Sequence, residues 1–309
     1  MPMISFNGIH LSFILDWFFI FSVAIITVPI NLISPFERQF SIEDETISHP
    51  YKEEESFSIF GLIIMVIGIP ILIMTLYHIC HRELKYSFHQ ALMGYFVSII
   101  LAILVTSIMK VSVGRYRPDF ISRCNVNVTK VEEEYKLYNI SKQINFGPRN
   151  LYNTTICSNT NKFVINEGRK SFPSGHTSFA FSSLTFTSLF LAGKLHLYDG
   201  NYIFWKLLVV IVPNLLAMYI ALTRISDYRH HWEDVLVGAI IGIAFSLISY
   251  FYYFPFLNSS EPYKPLQGRL KKYNIFQELS TKSLPLFKDK DNEDYITLSL
   301  LDDENKQSK

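Results

Sequence analysis

Six long apolar runs restrict this chain more than any other feature: near Leu11 to Ile33, Phe57 to Tyr77, Gln90 to Lys110, Gly175 to Ala192, Phe204 to Leu222 and Val235 to Phe256. A hydrocarbon core of about 30 Å takes roughly 20 mainly apolar residues per crossing helix, so each run has the length of one span. In lipid every backbone polar group needs a partner inside the protein, which leaves only helices and closed barrels. The runs are near-continuously apolar rather than alternating, which argues for helices and against a barrel. The fourth run is the most polar, with Ser and Thr threaded through it. The expected fold is all-α: a polytopic bundle of six transmembrane helices over residues 1–261, then a flexible cytoplasmic tail over 262–309.

Composition excludes other classes. Hydrophobic residues make up 49% of the 309 and charged residues only 18%, with a net charge of +1 and three cysteines. A disordered chain, a disulfide-stapled mini-protein and a basic nucleic-acid binder are ruled out. Asp16 interrupts the first run and no basic segment precedes it, so it reads as a retained span rather than a signal peptide.

Lys and Arg in short connections set orientation. Arg82 and Lys85 lie between runs two and three, Lys194 between four and five, and Lys264, Arg269, Lys271 and Lys272 after run six. Both termini are therefore expected in the cytoplasm. The connection from Val111 to Ser174 then faces outward, and it carries glycosylation acceptor patterns at Asn127, Asn139 and Asn153. A further pattern at Asn258 falls on the cytoplasmic side and should go unused. Cys124 and Cys157 share the outward loop, where a disulfide is open to them, whereas Cys80 is expected as a reduced, inert thiol. The first loop is acidic: Glu37, Glu43, Asp44, Glu45, Glu53, Glu54 and Glu55 outnumber Arg38 and Lys52. In the tail, Tyr295 to Leu298 and Leu300-Leu301 resemble short sorting signals.

Three polar clusters meet on one face. Run three ends outward with Lys110-Val-Ser-Val-Gly-Arg115-Tyr-Arg117-Pro118, run four begins with Ser171-Phe-Pro173-Ser174-Gly175-His176, and run five exits with Thr223-Arg224 before His230-His231-Trp232-Glu233-Asp234 opens run six. Parity puts all three at the same membrane surface. Any one Arg or Lys at a span end is ordinary, since such side chains snorkel to headgroups. The whole set arriving together is not. A helix start at Ser174-Gly175 offers free amides to an anion, and Gly175 admits close approach. Lys110, Arg117 and Arg224 add fixed positive charge, with Arg shaped for pairs of phosphate oxygens.

A phosphate ligand gives the histidines distinct tasks. If the start of run six is already helical, His230 and Asp234 stand at i and i+4 on one face. The carboxylate then orients one ring nitrogen and leaves the other free to attack phosphorus. Spacing favours His230 over the adjacent His231 without deciding between them. His176 is left to protonate the departing alkoxide and later to activate water. Phosphoryl transfer is mostly positioning and charge stabilisation, so the cations can replace a metal. No HExxH motif or paired acidic cluster is present, and neither a metal nor a cofactor is expected.

At these residues the chain resembles the lipid phosphate phosphatases, the membrane branch of the type 2 phosphatidic acid phosphatase superfamily. The family pattern K-x6-R-P, P-S-G-H and S-R-x5-H-x3-D reads here as Lys110 to Arg117-Pro118, Pro173-Ser174-Gly175-His176, and Thr223-Arg224 to His230 and Asp234. Only Thr223 departs, and it keeps the hydroxyl. Asp44 to Lys52, Gly114 to Pro118 and Ile225 to Trp232 look like animal-type members that act on phosphatidate, lysophosphatidate and sphingosine 1-phosphate. The resemblance implies that His230 is the nucleophile, Asp234 its partner and His176 the acid/base, with Lys110, Arg117, Ser174, Gly175 and Arg224 holding phosphate. It implies a metal-independent hydrolase working through a phosphohistidine on lipid phosphates in the outer or lumenal leaflet. The expected location is the plasma membrane with an extracellular site, or the endoplasmic reticulum or Golgi with a lumenal one. A homo-oligomer stays open. The alternatives are a phosphatase of isoprenoid or sugar phosphates and a catalytically silent lipid-binding relative.

Overall fold

The computed structural model describes residues 5–6, 9–81, 85–141 and 151–266. A two-residue antiparallel pair, Ser5–Phe6 with Ile9–His10, precedes α1 (Leu11–Leu32). Then come α2 (Ile59–Ile63), a π-turn (Ile64–Gly68), α3 (Ile69–His81) and α4 (Lys85–Val113), followed by the short α5 (Phe120–Cys124), α6 (Val128–Ser141) and α7 (Lys162–Gly168). The chain closes with α8 (Gly175–Lys194), α9 (Phe204–Ser226) and α10 (Trp232–Tyr253). The described body belongs to one compact unit, Met1–Pro265. The sorting patterns at Tyr295 to Leu298 and Leu300-Leu301 lie outside the described residues, as do Arg269, Lys271 and Lys272.

The fold is all-α, as expected. Among the described residues, five helices are long and apolar enough to cross a membrane: Ser12–Leu32, Ile59–His81, Tyr86–Val113, Phe204–Ser226 and Trp232–Tyr253. This is a multi-pass membrane protein. The fourth run forms α8, whose 20 residues reach roughly 30 Å at 1.5 Å per residue, yet it is too polar to count among the five. Its place in the bundle gives the reason. α8 packs against α4, α9 and α10, so it meets protein rather than lipid, and its hydroxyls and one of its carbonyls find partners on the neighbouring helices. Thr106 Oγ1 donates to Ser178 Oγ at 2.9 Å, Ser98 Oγ to Ser182 O at 2.9 Å, Ser246 Oγ to the same carbonyl at 2.8 Å, and Thr185 Oγ1 to Asn214 Oδ1 at 2.8 Å. Bonds of this kind between membrane helices contribute about 0.6 kcal/mol each.

The π-turn has a local cause. Pro70 has no N–H to give to the carbonyl one turn earlier, at Val66, and that carbonyl instead accepts Ser183 Oγ at 2.5 Å and the Tyr95 hydroxyl. Small residues set the α8–α10 crossing: a Cβ at Gly238 would stand 2.7 Å from Ser174 O, and one at Gly242 2.7 Å from Ser178 O. The two helices run parallel in close contact, with Ser174 N donating to Asp234 O at 2.9 Å. Their N-termini therefore lie side by side.

The connection from Val111 to Ser174 is more than a loop. It contains α5, α6 and α7, and with the first loop it builds a small core of its own from Phe40, Ile47, Tyr116, Phe120, Cys124 and Ile156. Bridges Phe40–Tyr152 and Val126–Cys157 stitch the layer, and Cys124 and Cys157 form a disulfide. Cys80 is free and exposed. Asn153 and Asn258 are exposed and Asn127 is half-buried. The side chain of Asn139 lies outside the described residues.

Candidate active site

The three polar clusters converge at one end of the bundle around a cavity of about 340 Å³. Lys110 and Arg117 arrive from the end of α4 and the turn after it, Gly175 and His176 from the start of α8, Arg224 from the end of α9 and His230 from the α9–α10 turn; all six line the cavity. Gly114, at φ 58°, turns the chain where α4 stops and sends Arg115 and Arg117 back toward the site. The backbone amides of Arg229 and His230 donate to Arg224 O at 3.0 and 3.2 Å, folding the α9–α10 turn so that His230 returns beside Arg224.

Ser174 and Asp234 stand behind the cavity rather than in its lining. Ser174 is fully buried as the N-cap of α8, where its hydroxyl accepts from Thr177 Oγ1 at 2.9 Å. Its structural work is to start the helix whose first residues, Gly175 and His176, face the pocket. Asp234 is also fully buried, and donors saturate it: Arg115 Nη1 at 2.8 Å on Oδ1, with Ser171 Oγ at 2.5 Å and His231 N at 3.0 Å on Oδ2.

The expectation of one helical face for His230 and Asp234 needs correction. α10 begins at Trp232, so His230 precedes the helix; His231 is the N-cap and Asp234 the third helical residue, joined in a capping box. The Asp234 carboxylate is drawn to the N-cap amide, a donor left open by the helix start. His230 Nδ1 consequently sits 3.8 Å from Asp234 Oδ2, near it but beyond hydrogen-bond range.

The cations are held by carboxylates that the sequence did not single out. Arg224, 1% exposed, gives Nη1 to Glu55 Oε2 at 2.7 Å and Nη2 to Asp227 Oδ2 at 3.1 Å. Arg117 Nη2 meets Glu167 Oε2 at 3.3 Å, and Lys110 Nζ donates to Lys170 O at 2.8 Å. Arg123 and Arg229, two further cations lining the cavity, stack on the Tyr51 ring at 4.4 and 4.9 Å. The acidic first loop facing a cation-rich surface was the available signal for Glu55. No such signal marked Glu167 or Arg229.

Burial drives His230 well below the ordinary imidazole value, against the opposing pull of Asp234, so the ring is neutral at pH 7. Burial would raise Glu55, but the Arg224 hydrogen bond and the Arg229 charge hold it below the usual carboxylate value. Glu167 is treated alike: burial raises it and Arg117 and Lys110 outweigh that. Four buried nitrogens around the cavity lack a hydrogen-bond partner among the described residues: His230 Nδ1, His176 Nε2, Arg117 Nε and Arg229 Nε. Buried polar groups are rarely left so, and their clustering marks a place prepared for a polar ligand. Among the described residues, no group of three or more His, Cys, Asp or Glu is placed to hold a metal.

Fold and site thus define a helical membrane protein with a cation-lined pocket containing two histidines. Residues 91–257 match the PAP2 superfamily, and the chain belongs to that family, as the motifs led one to expect. It is 32% identical over 251 residues to lipid phosphate phosphatase 2 of Arabidopsis thaliana, covering 81% of this chain and 78% of that one. It is 38% identical over 225 residues to probable diacylglycerol pyrophosphate phosphatase 1 of Schizosaccharomyces pombe, covering 72% and 75%. It is 30% identical over 254 residues to diacylglycerol pyrophosphate phosphatase 1 of Saccharomyces cerevisiae, covering 81% and 83%. No solved structure matches the chain at a significant level.

Proposed function

We propose that this protein is a lipid phosphate phosphatase, hydrolysing phosphatidate, lysophosphatidate, sphingosine 1-phosphate or related lipid phosphomonoesters through a phosphohistidine. The observation that carries the reading is the meeting of two histidines with Lys110, Arg117 and Arg224 around one cavity at the end of an apolar bundle. A headgroup can enter there while its acyl chains stay in the bilayer. Relatives named for lipid phosphate and diacylglycerol pyrophosphate substrates support it.

In this mechanism the neutral His230 attacks phosphorus through the ring nitrogen remote from Asp234. The P–N bond forms as the ester P–O bond breaks, and His176, which takes up the proton that the phosphomonoester monoanion carries as it binds, gives that proton to the departing alkoxide. His176 then takes a proton from water, whose oxygen attacks the phosphohistidine to release inorganic phosphate and restore His230. Asp234, neutralised on one side by Arg115, steadies the imidazolium character that His230 gains; the 3.8 Å separation is of the kind that tightens when substrate binds. Lys110, Arg117, Arg224 and the first amides of α8 carry the phosphoryl charge, and the reaction needs no metal.

The Cys124–Cys157 disulfide and the acceptors at Asn127 and Asn153 support an outward-facing site, extracellular at the plasma membrane or lumenal in internal membranes, with both termini cytoplasmic. Arg123 and Arg229, beyond the motif cations, favour a second reading in which the headgroup is a diphosphate. Purified protein is assayed for phosphate release in EDTA against phosphatidate, diacylglycerol pyrophosphate, sphingosine 1-phosphate, an isoprenoid phosphate and glucose 6-phosphate, beside His230→Ala. Turnover of lipid phosphates lost in the variant is the expected result. Release unaffected by the substitution removes the mechanism, and release of none removes the enzyme reading.

A further inference from the structure

One carboxylate stands where the phosphate should go. Glu55 belongs to none of the motifs and comes from the first loop, yet it lines the cavity. Its Oε2 is 2.7 Å from Arg224 Nη1 and 4.0 Å from His176 Nε2, and its Oε1 is 3.5 Å from Arg229 Nη2. Carboxylates and phosphoryl groups satisfy a guanidinium in the same way, through paired oxygens on its N–H fork, so the two compete for one donor.

The backbone carrying Glu55 is tied down. Asp227, at the end of α9, accepts Ser56 N at 2.8 Å, Ser56 Oγ at 2.5 Å and Lys52 Nζ at 2.7 Å, and Arg229 Nη2 donates to Lys52 O at 2.6 Å. This strap holds the neighbours of Glu55 in place while leaving its own side chain with three rotatable bonds and 26% exposure. Asp227 and Glu55 thus divide the labour on Arg224. The first is buried, shared with the strap and fixed; the second reaches across open cavity. The carboxylate can swing aside without the loop opening.

We propose that Glu55 is a placeholder anion: it keeps Arg224 and Arg229 gathered beside His176 until the phosphate headgroup displaces it. The inference rests on the phosphatase reading of this site. It makes Glu55 a positioning residue that costs affinity. Buried like charges repel at close range, and a tethered anion lets the cations be assembled before the ligand arrives, at the cost of a competitor present at high effective concentration.

The probe is orthovanadate, a phosphate analogue, titrated calorimetrically into the purified full-length protein in detergent and used as a competitive inhibitor of phosphate release. Glu55→Gln, nearly isosteric and uncharged, is expected to bind orthovanadate about tenfold tighter, a difference of about 1.4 kcal/mol, with KM lowered by a similar factor. Glu55→Asp, which restores the charge, returns the affinity toward that of the native chain. Ser56→Ala loosens the strap without touching the pocket and shifts affinity in the same direction by less, which keeps the test informative if Glu55→Gln folds poorly. Orthovanadate affinity unchanged or weakened in both variants overturns the proposal. So does a fall in kcat with KM unmoved, which assigns Glu55 to the acid/base work of His176. A native protein that neither binds orthovanadate nor releases phosphate overturns the reading of the site itself, and the placeholder with it.

Discussion

The two ends of α8 both bury basic groups, and they do so differently. At the N-terminal end, Arg224 and His230 surround a cavity whose lining leaves four buried nitrogens without hydrogen-bond partners. At the C-terminal end Lys194 is 4% exposed, yet Nζ donates to Tyr263 O at 2.8 Å and to Ser87 Oγ at 3.1 Å and lies over the rings of Tyr77 and Phe190. The second arrangement is matched: the ammonium N–H groups meet a carbonyl, a hydroxyl and two ring faces. Buried charge alone therefore does not mark a site in a membrane bundle. Unmatched polar atoms around open volume do.

The largest test of that contrast is His230, the proposed nucleophile. His230→Ala is expected to lower phosphate release by about 10⁴-fold or more, measured on a lipid substrate at saturating concentration. Arg224→Ala comes next: if its Nη1 passes from Glu55 to the phosphoryl oxygens in the transition state, its loss costs about 3 to 4 kcal/mol in kcat/KM. Retained activity in either variant would place the chemistry elsewhere.

Acid sharpens the contrast without mutation. His230 has a folded-state pKa held below its unfolded value of 6.5 by burial, so between 6.5 and that lower value the unfolded chain binds a proton that the folded chain refuses. Stability from this group is complete above pH 6.5 and is lost as the pH falls through the window below it. As the proposed nucleophile, His230 stays neutral in the same window, so phosphate release should outlast the imidazole's ordinary titration on the acid side. His230→Gln should show a smaller drop in thermal midpoint between pH 7 and 5 than the native protein; an equal drop assigns the acid sensitivity to other groups.

Much of the pocket was legible because a membrane simplifies geometry. Once the spans are counted, parity alone sends Lys110, His176 and Arg224 to one end, and all three line the cavity. What the sequence hid has physical reasons too. Glu55 is placed by the strap that ties Ser56 and Lys52 to Asp227 and Arg229 by the α9–α10 turn, and loop contacts carry no period to read. The i, i+4 argument for His230 and Asp234 started the helix two residues too early, because a histidine N-cap is not among the usual capping residues. α8 looked weak as a span for the reason that makes it central: Ser178, Ser182 and Thr185 serve its neighbours.

The outer layer offers a smaller effect. The Cys124–Cys157 bond closes a separation of 33 residues, and Cys124 adjoins Arg123, which stacks on Tyr51 beside the strap. Cys124→Ser is expected to cost about 2 to 4 kcal/mol of stability, read as a lower thermal midpoint. KM should rise a few-fold as the cavity wall loosens, with kcat nearly kept.

The smallest predicted change in activity comes from Lys194→Met, which most directly challenges the comparison. The thioether fills the volume between Tyr77 and Phe190 but gives nothing to Tyr263 O or Ser87 Oγ. Losing the charged donor to Tyr263 O costs about 1.5 to 3 kcal/mol, so the thermal midpoint should fall. The cavity lies a full helix away, roughly 30 Å along α8, and sites so separated combine additively. kcat/KM should therefore stay within about twofold of the native value, since 0.4 kcal/mol is the usual departure from additivity. If Lys194→Met instead silenced a protein that stayed folded, the lysine would belong to the machinery, and a matched buried charge could no longer be told from a working one by its partners.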